Sequence, residues 1–211
     1  MLITGFDKVS GKIAEVKTTD EALHVISPES IGQLNGTVLA SAADVDYLVT
    51  TVNMKVGAYT IAAQPLGSHV VTVTHTKVGT LDTLGIITVI GTDSDGIVIT
   101  EVITPSEDAT VTGLLGFEAI TSITGSGWVI AGGDNDTITV GIAAIKPPTG
   151  KYIFSITCET TAVVASETFV SGSAGPKLAS LTGLVAGHVY YGRWSSITMT
   201  SGECVGYYNY T

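Results

Sequence analysis

Charge is what this sequence has least of. Asp, Glu, Lys and Arg together make up 13% of its 211 residues, against a usual share of roughly 25%. So thinly charged a surface points to area covered by partners in an assembly. Basic residues are the scarcest: 9 Lys plus Arg stand against 19 Asp plus Glu, for a net charge of −10. Arg193 is the single arginine, and no basic cluster occurs. Phosphate backbones and anionic membranes are held by basic surfaces, which argues against both as partners. Long apolar runs are also missing. Hydrophobic residues reach 45%, yet no stretch approaches the roughly 20 residues that span a bilayer. The opening Met1-Leu2-Ile3-Thr4-Gly5-Phe6-Asp7 has no basic segment followed by an apolar one, so no signal peptide is expected.

Cysteine is limited to Cys158 and Cys204. With no export signal the favoured state is reduced, as two buried thiols; the alternative is a pair across a C-terminal sheet. Two cysteines and four scattered histidines (His24, His69, His75, His188) give no metal-ligand spacing.

What is abundant is β-branched sequence cut by turn residues. Val70–Thr74, Ile86–Ile90, Ile97–Thr100, Ile120–Thr124 and Thr137–Val140 are Val/Ile/Thr runs, each stopped by Gly, Asp, Asn or Ser. Such side chains suit a pleated, half-buried surface, and the residues between them suit turns. The clearest hairpin joins Ile86–Ile90 to Ile97–Thr104 through Gly91-Thr92-Asp93-Ser94-Asp95-Gly96. In its second strand Ile97, Ile99 and Ile103 face one way, and Val98, Thr100, Val102 and Thr104 the other. Glu101 falls on the apolar side, which places it near an edge.

The expected fold is all-β: an antiparallel β-sandwich, immunoglobulin-like or jelly-roll-like, over residues 65–146. A less regular N-terminal arm covers 1–64. There Lys12–Lys17 and Ala22–Ile26 read as a hairpin, with a helix as rival. Ala40 to Asp46 reads as a short helical turn or a loop, and Tyr47–Val52 and Val56–Ala62 as strands. Pro147-Pro148-Thr149-Gly150 marks a linker, since Pro-Pro cannot continue a ladder. A second small β region follows over 147–211, with strands at Tyr152–Cys158, Ala162–Val170, His188–Tyr191, Ser196–Thr200 and Cys204–Tyr208.

Few residues suggest chemistry. Asp93, Asp95, Asp134 and Asp136 are weak calcium candidates, because calcium takes several oxygens from a bent loop. The same Asp-x-Asp patterns are good turn chemistry, and that reading is preferred. No Gly-x-Ser-x-Gly elbow and no Gly-rich phosphate loop occur, so neither catalysis nor a cofactor is expected. Glu101, Glu118, Glu159 and Glu167 are available as carboxylates but fall on ordinary strand or loop positions. Trp128 and Trp194 are candidates for stacking on sugars, with core packing as the preferred reading. The C-terminal aromatics Tyr190, Tyr191, Trp194, Tyr207, Tyr208 and Tyr210 are candidates for a protein interface, weighed evenly against ordinary strand packing.

One further pattern runs through the middle of the chain. Gly57-Ala58-Tyr59-Thr60-Ile61-Ala62-Ala63-Gln64-Pro65 leads into Asp82-Thr83-Leu84-Gly85, Val89–Gly96, Thr100–Pro105, Thr110–Gly113, Phe117, Ile120–Thr124, Gly127-Trp128 and Asp134–Gly141. This succession resembles a β-rich domain of tailed-bacteriophage virion proteins. Tyr191–Gly202 with Tyr207-Tyr208 is similar to the end of small phage head-associated proteins. The resemblance covers roughly residues 57–141 and 177–208. It implies a structural protein of the virion, with no active site. The head decoration or cement role is preferred, on the outer surface of the head after assembly in the host cytoplasm. The implied partners are the major capsid protein and other copies of the chain, as a homo-oligomer, a trimer by analogy. A tail-associated or fibre protein contacting a receptor is the alternative. A carbohydrate-binding module or polysaccharide-active enzyme is a minor one.

Overall fold

The computed structural model describes residues 37–40, 42–132, 134–173 and 177–210. The hairpin expected over Lys12–Ile26 lies outside them. Thirteen strands are formed among the described residues: β1 Thr37–Ala40, β2 Asp44–Asn53, β3 Gly57–Ala58, β4 His69–Thr76, β5 Ile86–Thr92, β6 Val98–Ile103 and β7 Thr110–Phe117. They continue with β8 Ala119–Ser126, β9 Thr137–Ile145, β10 Lys151–Cys158, β11 Val163–Phe169, β12 Val189–Ser201 and β13 Cys204–Tyr210. Every pairing is antiparallel. The described helical content is one 3₁₀ turn, Leu178–Ser180. The chain is thus an all-β, antiparallel β-sandwich protein.

The β-branched runs form strands because each can bury every second side chain. Along β5 the inward Ile87 and Val89 are fully buried while Ile86, Thr88 and Ile90 are partly exposed. β2, β9, β4 and β7 lie side by side and face the four-stranded sheet β3-β8-β5-β6. Between the two sheets sits the first core, with Leu48, Val71, Val73, Ile138, Val140 and Phe117 from one side and Ile87, Val89, Ile103, Ile120 and Ile123 from the other. Each such side chain contributes about 1.5–3 kcal/mol by leaving water. Gly141 is required where β2 crosses β9, since a Cβ there would collide with the backbone of Asp44 and Val45.

The second core lies beyond the Pro147-Pro148 segment. Ile153, Ile156, Val164, Leu178, Leu184, Trp194, Ile197 and Met199 form it, with Ile145 at its border. β9 runs through both regions: Ile138, Val140 and Ile142 belong to the first core and Ile145 to the second. Ile145 also pairs with Ile197, so nine strands share one hydrogen-bonded network.

Several expectations are corrected. Residue 64 is not a packing boundary, because Leu48, Val49, Met54 and Tyr59 are inside the first core. Of the span Ala40 to Asp46 expected as a turn or loop, residues 42–43 lie in no strand, while Ala40 ends β1 and Asp44 starts β2, paired to β13 and β9. Val56–Ala62 yields only the two-residue β3. The two strands expected at His188–Tyr191 and Ser196–Thr200 are one, β12, because a register shift against β10 carries the ladder past Gly192 and Arg193. β7 was not expected as a strand. Its Gly113 and Gly116 break the β-branched pattern, yet it pairs with β4. The cysteines are also not reduced: Cys158 and Cys204 face each other in the β10–β13 register and form a disulfide.

Candidate functional site

The C-terminal sheet presents an aromatic outer face. Cys158 and Cys204 pair across β10 and β13 and point inward, as does Ile156, set against Gly206, two rows on. The alternate rows point out. One reads Val189, Thr157, Val205 and the next Tyr191, Ser155, Tyr207 across β12, β10 and β13, with Ser155 itself buried. Beyond them the register shift at Phe154 turns that ring to the same side, where it meets Tyr207 at 6.5 Å between centroids. Arg193 lies with its guanidinium 4.5 Å from the centre of the Tyr152 ring. Tyr191 is 66% exposed. The face therefore carries four aromatic rings, one cation and no carboxylate in these rows. A ring face held beside a guanidinium is a favourable cation–π pair, and it restrains the arginine on this face.

The sequence candidates divide on this geometry. Tyr191 and Tyr207 lie on the outer face. Tyr190 turns inward against the second core, and its hydroxyl accepts the Val185 N–H at 2.9 Å. Trp194 is fully buried. Tyr208 is buried with Lys151 Nζ 4.9 Å from its ring centre. The side chain of Tyr210 lies outside the described residues. Trp128 is buried in the first core, so neither tryptophan can stack on a sugar. Tyr152, Phe154 and Arg193 were not among the candidates. Their signal was alternation, since Tyr152 and Phe154 flank Ile153 at a spacing of two.

The four aspartates considered for calcium are engaged elsewhere or apart. Asp93 Oδ1 accepts the N–H groups of Asp95 and Ile97 at 2.9 and 3.0 Å, closing the β5–β6 turn. Gly96 follows at φ 77°, the left-handed position this turn requires. Asp95 reaches across to the second core, where Lys151 Nζ donates to its two oxygens at 2.6 and 2.5 Å. Asp136 is buried and Asp134 exposed. No group of three or more His, Cys, Asp or Glu able to hold a metal is assembled among the described residues.

Asp136 instead anchors a buried polar network. Its Oδ2 accepts from His75 Nε2 at 3.2 Å and from the Asp82 N–H at 2.8 Å, and its Oδ1 accepts the Val78 N–H at 2.6 Å. Asp82 returns the contact by accepting the Asp136 N–H at 2.9 Å. Burial pushes the Asp136 carboxyl up, but the Val78 and Asp82 N–H groups and the His75 imidazole outweigh it and hold it below the usual carboxylate range. The Asp108 N–H donates to His75 Nδ1 at 3.1 Å, so the neutral ring carries its proton on Nε2. Both ring nitrogens are thus engaged within a buried site, and this His–Asp pair ties loops together; it offers no free nitrogen to a substrate. Glu118 is the opposite case: its Oε2 is buried without a hydrogen-bond partner, and burial raises its pKa.

A cavity of about 20 Å³ lies between Asp93, Ile99, Leu114, Leu115, Lys146 and Pro147, room for one water and too small for an organic substrate. Comparison with protein-family models, with curated proteins and with solved structures finds no match.

Proposed function

We propose that this chain is a structural binding protein whose working part is the aromatic face of its C-terminal sheet. Within that class the reading is a virion protein of a tailed bacteriophage, of the head decoration or cement kind, bridging subunits of the shell. The observation that carries the proposal is the outward row Tyr191–Ser155–Tyr207, flanked by Tyr152, Phe154 and Arg193 on a chain of net charge −10. Tyrosine, phenylalanine and arginine are enriched at protein contacts, and rigid aromatic rings bury large area at little entropic cost. The resemblance of residues 57–141 and 177–208 to phage virion proteins supplies the particular setting. Many copies docked by symmetry gain avidity from contacts that are individually weak.

The test mixes the purified chain with expanded heads of the cognate phage. Heads are expected to bind it at regular positions and to melt at a higher temperature. Tyr191→Ala and Tyr207→Ala are each expected to weaken binding about tenfold or more. Label found at the tail tip in immunogold images, or heads left bare, would overturn the head assignment.

A further inference from the structure

The open edge of the small sheet is a second exposed surface, separate from the aromatic face. Among the described residues β6 pairs with β5 alone. The Asp93 N–H donates to the Ile97 carbonyl at 3.0 Å, and the unbroken register then sets Gly91 against Ile99 and Val89 against Glu101. Antiparallel pairing alternates. The N–H and C=O groups of Ile97, Ile99, Glu101 and Ile103 therefore turn toward β5, and those of Val98, Thr100 and Val102 turn away from it. The side chains on this strip are apolar and bare: Val98 is 71% exposed and Val102 56%, with Ile97 at 60% and Leu114 of the neighbouring β7 at 72%.

Edge strands ordinarily carry a guard, such as a lysine, a proline or a bulge. β6 has none of these, and the device it does carry is a single inward-pointing charge. Its one charge, Glu101, points inward, where its carboxylate accepts the N–H groups of Leu114 and Leu115.

We infer that this edge pairs with the β6 edge of a second copy, antiparallel about a two-fold axis at Thr100. Two features select a second copy as the occupant. The exposed pattern Val98, Thr100, Val102 is palindromic, so the two-fold axis sets each Val98 against the other copy's Val102. The outward donors and acceptors of one strand then meet those of the other in register. Two molecules of net charge −10 repel each other, and the one charge of this strand, Glu101, is taken up by the Leu114 and Leu115 N–H groups on the face opposite Val98, Thr100 and Val102. The result is a continuous eight-stranded sheet across the dimer, a closed arrangement that uses the edge up.

The full chain is tested by sedimentation equilibrium and by cross-linking. Wild type is expected as an even-numbered species. Thr100→Cys is expected to form an intermolecular disulfide with its own copy under mild oxidation, giving a dimer on gels without reductant. Val98→Lys with Val102→Lys, at positions already in solvent, is expected to keep the far-ultraviolet circular dichroism and raise the dissociation constant about tenfold or more. A wild-type monomer, an odd-numbered oligomer without the Thr100→Cys cross-link, or an unchanged mass in the double lysine variant would each overturn the pairing. A monomer would also result if the chain's own N-terminal residues occupied the edge. Failure here leaves binding through Tyr191 and Tyr207 untouched, and failure there leaves this contact untouched.

Discussion

Asp136 shows how a single residue can mislead in sequence and explain itself in structure. Asp134-Asn135-Asp136 reads as a loop rich in oxygen ligands, yet the inner aspartate is buried and engaged by two N–H groups and an imidazole. Its folded-state pKa lies below the ordinary 3.8. Its contribution to stability is therefore complete above the unfolded value and is lost as pH falls through the folded one. Asp136→Asn is expected to cost about 2 kcal/mol or more at pH 7, because an amide directs donors at N–H groups. Thermal unfolding followed from pH 7 to pH 2 checks this. Wild type should lose stability steeply below about pH 4, and the variant should lose less over the same range. Equal acid sensitivity in both proteins would show that Asp136 is not the titrating anchor.

At the scale of elements, the instructive strand is β6. Alternation placed Ile97, Ile99 and Ile103 on one face and Val98, Thr100, Val102 and Thr104 on the other; burial agrees within the strand but not at Ile97, which precedes it and is 60% exposed. Glu101 was the misfit, and its place near an edge is what the structure shows. It bridges the edge of one sheet to β7 of the other by taking up the N–H groups of Leu114 and Leu115, where the β4–β7 ladder shifts register. Glu101→Ala is expected to cost about 1–2 kcal/mol. It should also speed hydrogen exchange at Leu114 and Leu115 in particular, a local readout that general destabilisation would not give. β7 was illegible because its two glycines carry no β signal and its ladder partner is far away in sequence.

For the whole molecule, the question is what holds two cores in one body. β9 passes through both. Asp95, at the tip of the β5–β6 hairpin, is clamped by Lys151, and the Tyr208 hydroxyl lies 3.4 Å from Ser94 O and Asp95 Oδ1. The Cys158–Cys204 bond closes a loop across 46 residues within the second region. Chain-entropy reasoning gives such a loop about 4 kcal/mol. Replacing both cysteines with alanine, or reducing the protein, should lower the melting temperature by about 10 °C. A melting curve indifferent to reductant would sink this.

Local sequence was enough for the fold class, for the β5–β6 hairpin and its turn, and for the low charge. These rest on local steric preference and on a period of two, which neighbouring residues report. Strand pairing across the folded chain set which tyrosines face outward, that Cys158 meets Cys204, and that Asp95 binds Lys151 and Asp136 binds His75. Each of these depends on register between strands distant in the chain. A shift of one residue exchanges the two faces of a strand, and local sequence does not record which partner sets the register.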